Sequence, residues 1–376
     1  MLVMQPQLRR KPGEIRDAII DALWTETDPI SVAEIHNRVV DTIGSVQRSS
    51  VQSYLNNNQP LLFSKIQRGK YLLSDNLPKD TQNENFESKI IGKSELFLGD
   101  TFSVLPTLAS NSIHAVVTDP PYGVVEYSKK EVGKLRSGNG GVWRIPPSFD
   151  GHKRAPLPRF TTLTQKDHAA LGEFFYKLGQ ELFRVMVPGA HAFIASNPLV
   201  SHIVTTSMVS AKFENRGAII RKVITMRGGD RPKNAHLEFP DVSVMARSAW
   251  EPWVLVRKPI EGRVQDNLRK WGTGGLRRIS DKQPFFDVIQ SSPTQKREKI
   301  LAPHPSLKPQ KLMRQLVKAS LPLEKGKILD PFSGSGATLA AANFLEIDSV
   351  GIEIDKDFYS KSEGWIKKLS DLETST

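Results

Sequence analysis

Asp119-Pro120-Pro121-Tyr122 is the run whose residue types could do chemistry together. The Asp119 carboxylate accepts a hydrogen bond from an amine. Pro120 has no N–H, but its carbonyl accepts the amine's other hydrogen. Pro121 stiffens the turn and holds both acceptors in place. Tyr122 offers an aromatic face on which a planar base stacks, worth about 1–3 kcal/mol. An exocyclic amine on a purine or pyrimidine is a poor nucleophile because its lone pair is delocalised into the ring. Two acceptors on its hydrogens favour a more tetrahedral nitrogen, with the lone pair aimed at an electrophile. The tetrapeptide therefore suits alkylation of a nucleobase amine by direct in-line displacement, with positioning supplying much of the rate.

A second cluster reads Ile328-Leu329-Asp330-Pro331-Phe332-Ser333-Gly334-Ser335-Gly336-Ala337-Thr338-Leu339: a strand, a tight glycine turn and a helix. Glycines there let the backbone pass close to a ligand, with helix N–H groups pointing at it. A dinucleotide fingerprint would need a third glycine for close packing. Leu339 stands at that position, which disfavours a nicotinamide cofactor. The next strand ends in Gly351-Ile352-Glu353-Ile354-Asp355. An acid there, about 20 residues beyond Asp330, suits the two hydroxyls of a ribose. The ligand is then a nucleoside without a pyrophosphate. S-adenosylmethionine fits, and its sulfonium methyl is an electrophile that needs no further activation.

Both motifs need strands that deliver them to one edge of a sheet. Ile113–Thr118 is a buried-strand run that ends on Asp119. Residues 174–184 read as a helix, 191–196 as a strand, Lys327–Asp330 as a strand, Ala337–Phe344 as a helix and 349–354 as a strand. Strands alternating with helices predict a parallel sheet, with ligands at its carboxyl edge. Two stretches interrupt the pattern as insertions, 124–165 and 227–303. Ahead of it, residues 13–75 read as a separate unit. Three helices (the second capped by Ser31 with Glu34 three residues on) precede two short strands joined at Arg68-Gly69. That is the pattern of a winged helix-turn-helix. Residues 1–75 hold nine basic and eight acidic side chains, with Arg48, Lys65, Arg68 and Lys70 on the third helix and wing. Contact with DNA and docking to protein both remain open for this unit. A polar linker follows, 76–88.

Composition narrows the classes. With no cysteine, disulfides, thiolate metal sites and a cysteine nucleophile are excluded. The eight histidines are scattered, so no metal site is expected. No apolar run reaches the ~20 residues that cross a bilayer, and the start lacks a secretory signal. A cytoplasmic protein is expected, with no membrane association. The 376 residues carry 52 basic and 40 acidic side chains, a formal net charge of +12 that favours polyanions such as nucleic acid.

Together the motifs resemble the amino-methylating DNA methyltransferases whose reaction motif precedes the cofactor motif, the β order. The resemblance covers about 89–365. It implies an α/β, Rossmann-like, doubly wound methyltransferase domain over 89–376, S-adenosylmethionine as cofactor and double-stranded DNA as partner. It places the reaction on Asp119, Pro120, Pro121 and Tyr122. The family's cofactor residues fall on Asp330, Phe332, Gly334, Gly336 and Glu353, with Ser333 and Thr338 in the same turn. Leu98-Gly99-Asp100 matches the family's acidic contact to the cofactor adenine. His304-Pro305-Ser306-Leu307-Lys308-Pro309 matches the motif closing the methionine pocket, which makes Lys308 the partner of the cofactor carboxylate. Asp at the first motif position goes mostly with N6-adenine, and Ser with N4-cytosine. The expectation is therefore a site-specific adenine N6-methyltransferase of a restriction–modification, epigenetic or phage system. N4-cytosine, an RNA target and a DNA-binding regulator with an inactive core remain alternatives. The basic stretch 124–165, with Arg136 and Arg144, is expected to be a mobile loop over cofactor and base. The target-recognition region is expected at 227–303, with Arg227, Arg231, Arg277 and Arg278 on DNA, and Trp250 and Trp253 in the core. Nucleoid association follows. Any restriction endonuclease would be another chain.

Overall fold

A computed structural model describes residues 14–23, 26, 28–57, 63–73, 86–121, 164–224, 235–244, 246, 248–304 and 306–373. The chain divides into two compact units, Met1–Thr81 and Gln82–Thr376.

The first unit contains α1 (Glu14–Leu23), β1 (Ile30–Ser31), α2 (Val32–Ile43), α3 (Arg48–Asn57), β2 (Phe63–Gln67) and β3 (Lys70–Leu73). The strands pair antiparallel in the order β1-β3-β2. Ser31 caps α2 by accepting the Glu34 N–H at 3.2 Å, as its spacing predicts. Apolar residues at helical spacing, Ile19, Leu23, Ile35, Val39, Val51 and Leu55, close on Phe63 and Tyr71 from the strands.

The second unit begins with β4 (Ser88–Ile91), β5 (Ser94–Leu98), α4 (Thr101–Val104) and β6 (Ile113–Thr118). It continues with α5 (Gln165–Val185), β7 (Met186–Ala195), α6 (Ser201–Ser210), β8 (Glu214–Lys222) and β9 (Trp250–Arg257). Then come α7 (Val264–Trp271), β10 (Val288–Gln290), α8 (Lys296–Leu301), α9 (Gln310–Ser320), β11 (Lys327–Asp330), α10 (Ala337–Phe344), β12 (Asp348–Glu353) and α11 (Lys356–Ser370). Among the described residues, nine strands form one sheet in the order β10-β8-β9-β7-β6-β11-β12-β5-β4.

Alternate residues of the central strands face opposite ways, as the two-residue period of a strand requires. Ala115, Val117, Phe193, Ala195, Trp253 and Leu255 pack with α9, α10 and α11. Val116, Ala192, Ile194, Val254 and Val256 pack with α5 and α6. Helices therefore cover both faces, and strands buried on both sides read as apolar runs.

Two expectations change. The sheet is mixed rather than parallel: β4 runs against β5, and β9 runs against both β7 and β8. The β4–β5 reversal follows from its turn, since two residues, Gly92 and Lys93, permit only a hairpin. The interval 227–303 is not one insertion, because β9 is a framework strand between β7 and β8 and divides it. The strand's first residue and its interior differ accordingly. Trp253 is wholly buried, whereas Trp250 is 39% exposed and lies outside the core. Among the described residues, no helix is long and apolar enough to cross a membrane.

Candidate active site

Four neighbouring parallel strands, β6, β11, β12 and β5, each end at an acid: Asp119, Asp330, Glu353 and Asp100. From β6 the sheet extends through β7 on one side. From β11 it extends through β12 on the other. The two strands carrying the motifs are thus adjacent at the point where the strand order reverses, the place where open α/β sheets bind ligands. Thr118 joins them directly. Its hydroxyl, buried at the end of β6, donates to Asp330 Oδ1 at 2.7 Å.

The glycine turn is built around two buried acids. Asp330 is 3% exposed and also accepts the Phe332 N–H at 3.2 Å. Burial outweighs these hydrogen bonds and lifts its carboxyl from 3.8 to about 6. Glu353 accepts the N–H groups of Gly334 and Asp355, each at 2.7 Å. Burial raises its pKa as well, against those same backbone donors. A carboxylate carries about four acceptor positions, so Glu353 can hold the turn and still face a ligand hydroxyl.

Gly334 and Gly336 both have left-handed φ, +50° and +75°. A Cβ on Gly336 would lie 2.3 Å from Ile366 Cγ1, and one on Gly334 would lie 3.2 Å from the His304 ring. The glycines are therefore required by conformation and by close approach. Gly336 opens α10 with no side-chain cap, which leaves the first N–H groups of the helix directed at the turn. The Ser333 hydroxyl is buried and has no hydrogen-bond partner among the described residues. A narrow glycine cradle, an orphan hydroxyl, an uncapped helix start and two strand-end acids fit a nucleoside-bearing ligand. Thr338 lies in the same network: its hydroxyl sits on Asp330 and also donates to the Val117 carbonyl at 3.1 Å, tying α10 to β6. Phe332 packs on Phe174 with ring centroids 5.8 Å apart.

At the reaction end, Asp119 is partly exposed, Pro120 is buried and Pro121 is exposed. Lys308 is set on Asp119 Oδ2, and its ammonium also lies 3.3 Å from Glu251 Oε1. Burial opposes that charge, but the two carboxylates outweigh it and hold the ammonium above its ordinary pKa. His304, at the head of the same segment, stacks edgewise on Phe358 at 4.6 Å, and burial lowers its pKa.

The remaining expected site residues are committed to local contacts or lie outside the described residues. Asp100 is exposed and caps α4, accepting the Phe102 N–H at 2.8 Å. Arg277 pairs with Glu324 at 2.8 Å and donates to the Pro322 carbonyl. Arg278 is exposed and donates to the Ser280 carbonyl. Tyr122, Arg136, Arg144, Arg227 and Arg231 lie outside the described residues, as does nearly all of 124–165.

The sequence profile described as DNA methylase, of the N6/N4 methyltransferase type, matches residues 113–364. The chain belongs to the N6/N4 DNA methylase family. Type II methyltransferase M.HindIII of Haemophilus influenzae is 24% identical over 292 residues, covering 70% of this chain and 92% of that protein. Type II methyltransferase M.MjaI of Methanocaldococcus jannaschii is 25% identical over 264 residues, 66% of this chain and 83% of that one. Among solved structures, the PvuII DNA methyltransferase (cytosine-N4-specific) shares 12% identity at a TM-score of 0.47, covering 76% of this chain and 94% of that chain. The methyl donor of this DNA methylase family is S-adenosylmethionine.

Three residues at this methylase's edge escaped sequence reading. Thr118 sits immediately before Asp119, and its link to Asp330 depends on β6 and β11 being neighbours. Arg221 and Glu251 face one another because β8 and β9 pair in that register. Nothing local in the sequence signals either contact.

Proposed function

We propose that this chain is a site-specific DNA adenine N6-methyltransferase acting on a base flipped out of duplex DNA. One observation carries the reading: the acid of Asp-Pro-Pro-Tyr follows β6 directly, beside the glycine-turn strand β11, where the strand order reverses. Asp rather than Ser at the first position favours adenine, following the resemblance stated above.

When bound, S-adenosylmethionine supplies an electrophilic methyl group. Asp119 and the Pro120 carbonyl accept the two hydrogens of the target amine. Burial of Pro120 fixes that carbonyl. Tyr122 stacks on the base. Held by these acceptors, the amine nitrogen would displace the donor's thioether from the methyl group, and Asp119 would take up the proton that the nitrogen sheds. Asp119 needs no strong basicity, because the nitrogen becomes acidic only as the new bond forms. Much of the rate comes from holding the partners in line.

Extracting the base from a duplex costs a few kcal/mol, and phosphate contacts must hold the strands meanwhile. Arg136, Arg144, Arg227 and Arg231 supply basic side chains for this. Of the two described arginines, Arg278 is better placed than Arg277, which is committed to Glu324. The first unit is read as a winged helix that contributes to DNA affinity, since Arg48, Lys65, Arg68 and Lys70 are all exposed. The chain's likeness to Type II methyltransferases supports a restriction–modification setting, with the endonuclease on another chain.

The test is to incubate the protein with S-adenosylmethionine and unmodified DNA, digest to nucleosides and identify the product by mass spectrometry. N6-methyldeoxyadenosine is expected. N4-methyldeoxycytidine would overturn the target base. Cofactor and DNA binding with no product on any DNA would favour the inactive regulator.

A further inference from the structure

Four charged side chains from four parts of the chain form one row along the carboxyl edge. Arg221, near the end of β8, places Nη1 2.6 Å from Glu251 Oε2 at the start of β9. Glu251 Oε1 lies 3.3 Å from Lys308 Nζ, and Lys308 reaches Asp119. Strand β7 lies between β6 and β9, so the Lys308 ammonium spans a whole strand to join the two carboxylates. Arg221 is 3% exposed, and it cannot turn towards DNA. Its Nε donates to Ser291 Oγ at 3.1 Å and its Nη2 to the Ser292 carbonyl at 2.9 Å. The Lys308 and Glu251 side chains are only 13% and 15% exposed.

A buried row of alternating charges is poorly explained by stability alone. Desolvation consumes most of the attraction, and apolar residues of the same volume often do as well. What the row does have is direction. One end, Arg221, is clamped by the acceptors Ser291 Oγ and the Ser292 carbonyl, and the other ends on the acid of the reaction motif. The geometry points to Glu251, clamped by Arg221, as a positioning residue that sets Lys308 on Asp119 and so fixes the carboxylate that receives the target amine. This rests on the reading of Asp119 given above and deepens it. It also reassigns Lys308, from the cofactor's carboxylate to the enzyme's own.

Among the described residues, the charged and titratable groups facing Lys308 and Asp119 include Glu251, Arg221, His304 and Asp330. With Glu251 neutral, Lys308 loses one of two carboxylates that hold its proton, and its pKa falls.

The experiment compares full-length wild type, Glu251→Gln, Glu251→Asp and Asp119→Asn. It measures single-turnover methyl transfer from labelled S-adenosylmethionine to unmodified duplex DNA across alkaline pH. Cofactor affinity is read by calorimetry. Glu251→Gln should slow transfer by roughly 10- to 100-fold at unchanged cofactor affinity, the size of effect expected from a misplaced reacting group. Its rate should fall at an alkaline pH where wild type still holds its rate, and Glu251→Asp should recover part of the loss. Wild-type rate and pH profile in Glu251→Gln, with Asp119→Asn inactive, overturn the positioning role and leave the reaction assignment intact. Full activity in Asp119→Asn overturns the reaction assignment itself. Should Glu251→Gln lose its unfolding transition, Glu251→Asp and Arg221→Lys carry the test. A rate loss with an earlier alkaline limb in the folded variants supports the proposal, and wild-type behaviour in both overturns it.

Discussion

Replacing Asp330 by Asn separates the charge at the heart of the site from its geometry. Asp330 Oδ1 accepts from Thr118 and from the Phe332 N–H, and an asparagine oxygen can keep both bonds. The charge is lost, together with the hydrogen bond from Thr338 that the carboxylate accepts. In the folded chain burial lifts the carboxyl from 3.8 to about 6, whereas the unfolded chain titrates near its ordinary value. Between those values the folded state binds the proton more tightly. The stability from this group is therefore fully present below 3.8 and is lost as pH rises through about 6. That interval is worth about 3 kcal/mol. An uncharged amide at this position is blind to it. Asp330→Asn should gain on wild type as pH rises, by up to about 3 kcal/mol between about pH 3 and about pH 7.5. The two units can melt separately, so the assay must follow the larger one. Its buried Trp253 and Trp365 report that transition. At about 2 °C per kcal/mol the gap should approach ~6 °C near neutrality. The same substitution should weaken S-adenosylmethionine binding, because a cationic ligand loses a negative charge from the turn that would hold it. A stability difference independent of pH, or a less stable variant at neutral pH, would refute burial as the cause of the raised pKa.

Asp119→Ala should abolish methyl transfer while cofactor affinity stays nearly intact; appreciable transfer would sink the assignment of the reaction motif. Gly336→Ala forces a side chain into a left-handed turn and against Ile366, so it should destabilise the second unit by about 2–5 kcal/mol, read as a lowered melting temperature. An unchanged melting temperature would mean that the turn relaxes freely. Deleting residues 1–75 should weaken DNA binding and flatten its salt dependence without changing which nucleoside is methylated. Unchanged affinity would assign the first unit to protein docking instead.

What the sequence made legible is local. The Asp119 tetrapeptide, the glycine turn and the Ser31 cap each declare themselves within a dozen residues. Their strands were visible because runs buried on both faces are apolar throughout. What stayed hidden depends on pairing between distant strands. The eight residues of β9 were lost inside 227–303, where basic side chains outnumber acidic ones and average composition masked a framework strand. The Lys308 contact spans 189 positions and could not be read from its own motif, which resembles a cofactor-closing segment. Glu353 was legible as a strand-end acid, but its two backbone bonds to the turns around it were not.

The order of the motifs along the chain matters less than the neighbours of their strands. Asp119 and Asp330 are far apart in sequence, yet the side chain of Thr118 closes the gap because β6 and β11 lie side by side. Two half-sheets diverge from that pair, one through β7 towards β9 and Glu251, the other through β12 towards β5. On the proposed reading, the first half carries the acceptors for an amine and the charged row behind them. The second carries the glycine turn and the acid that braces it. A methyl donor held by one half and a base held by the other would meet only at the shared edge. Chemistry that depends on in-line approach is therefore set by strand adjacency, and a reaction motif that precedes its cofactor motif serves this edge as well as the reverse order would.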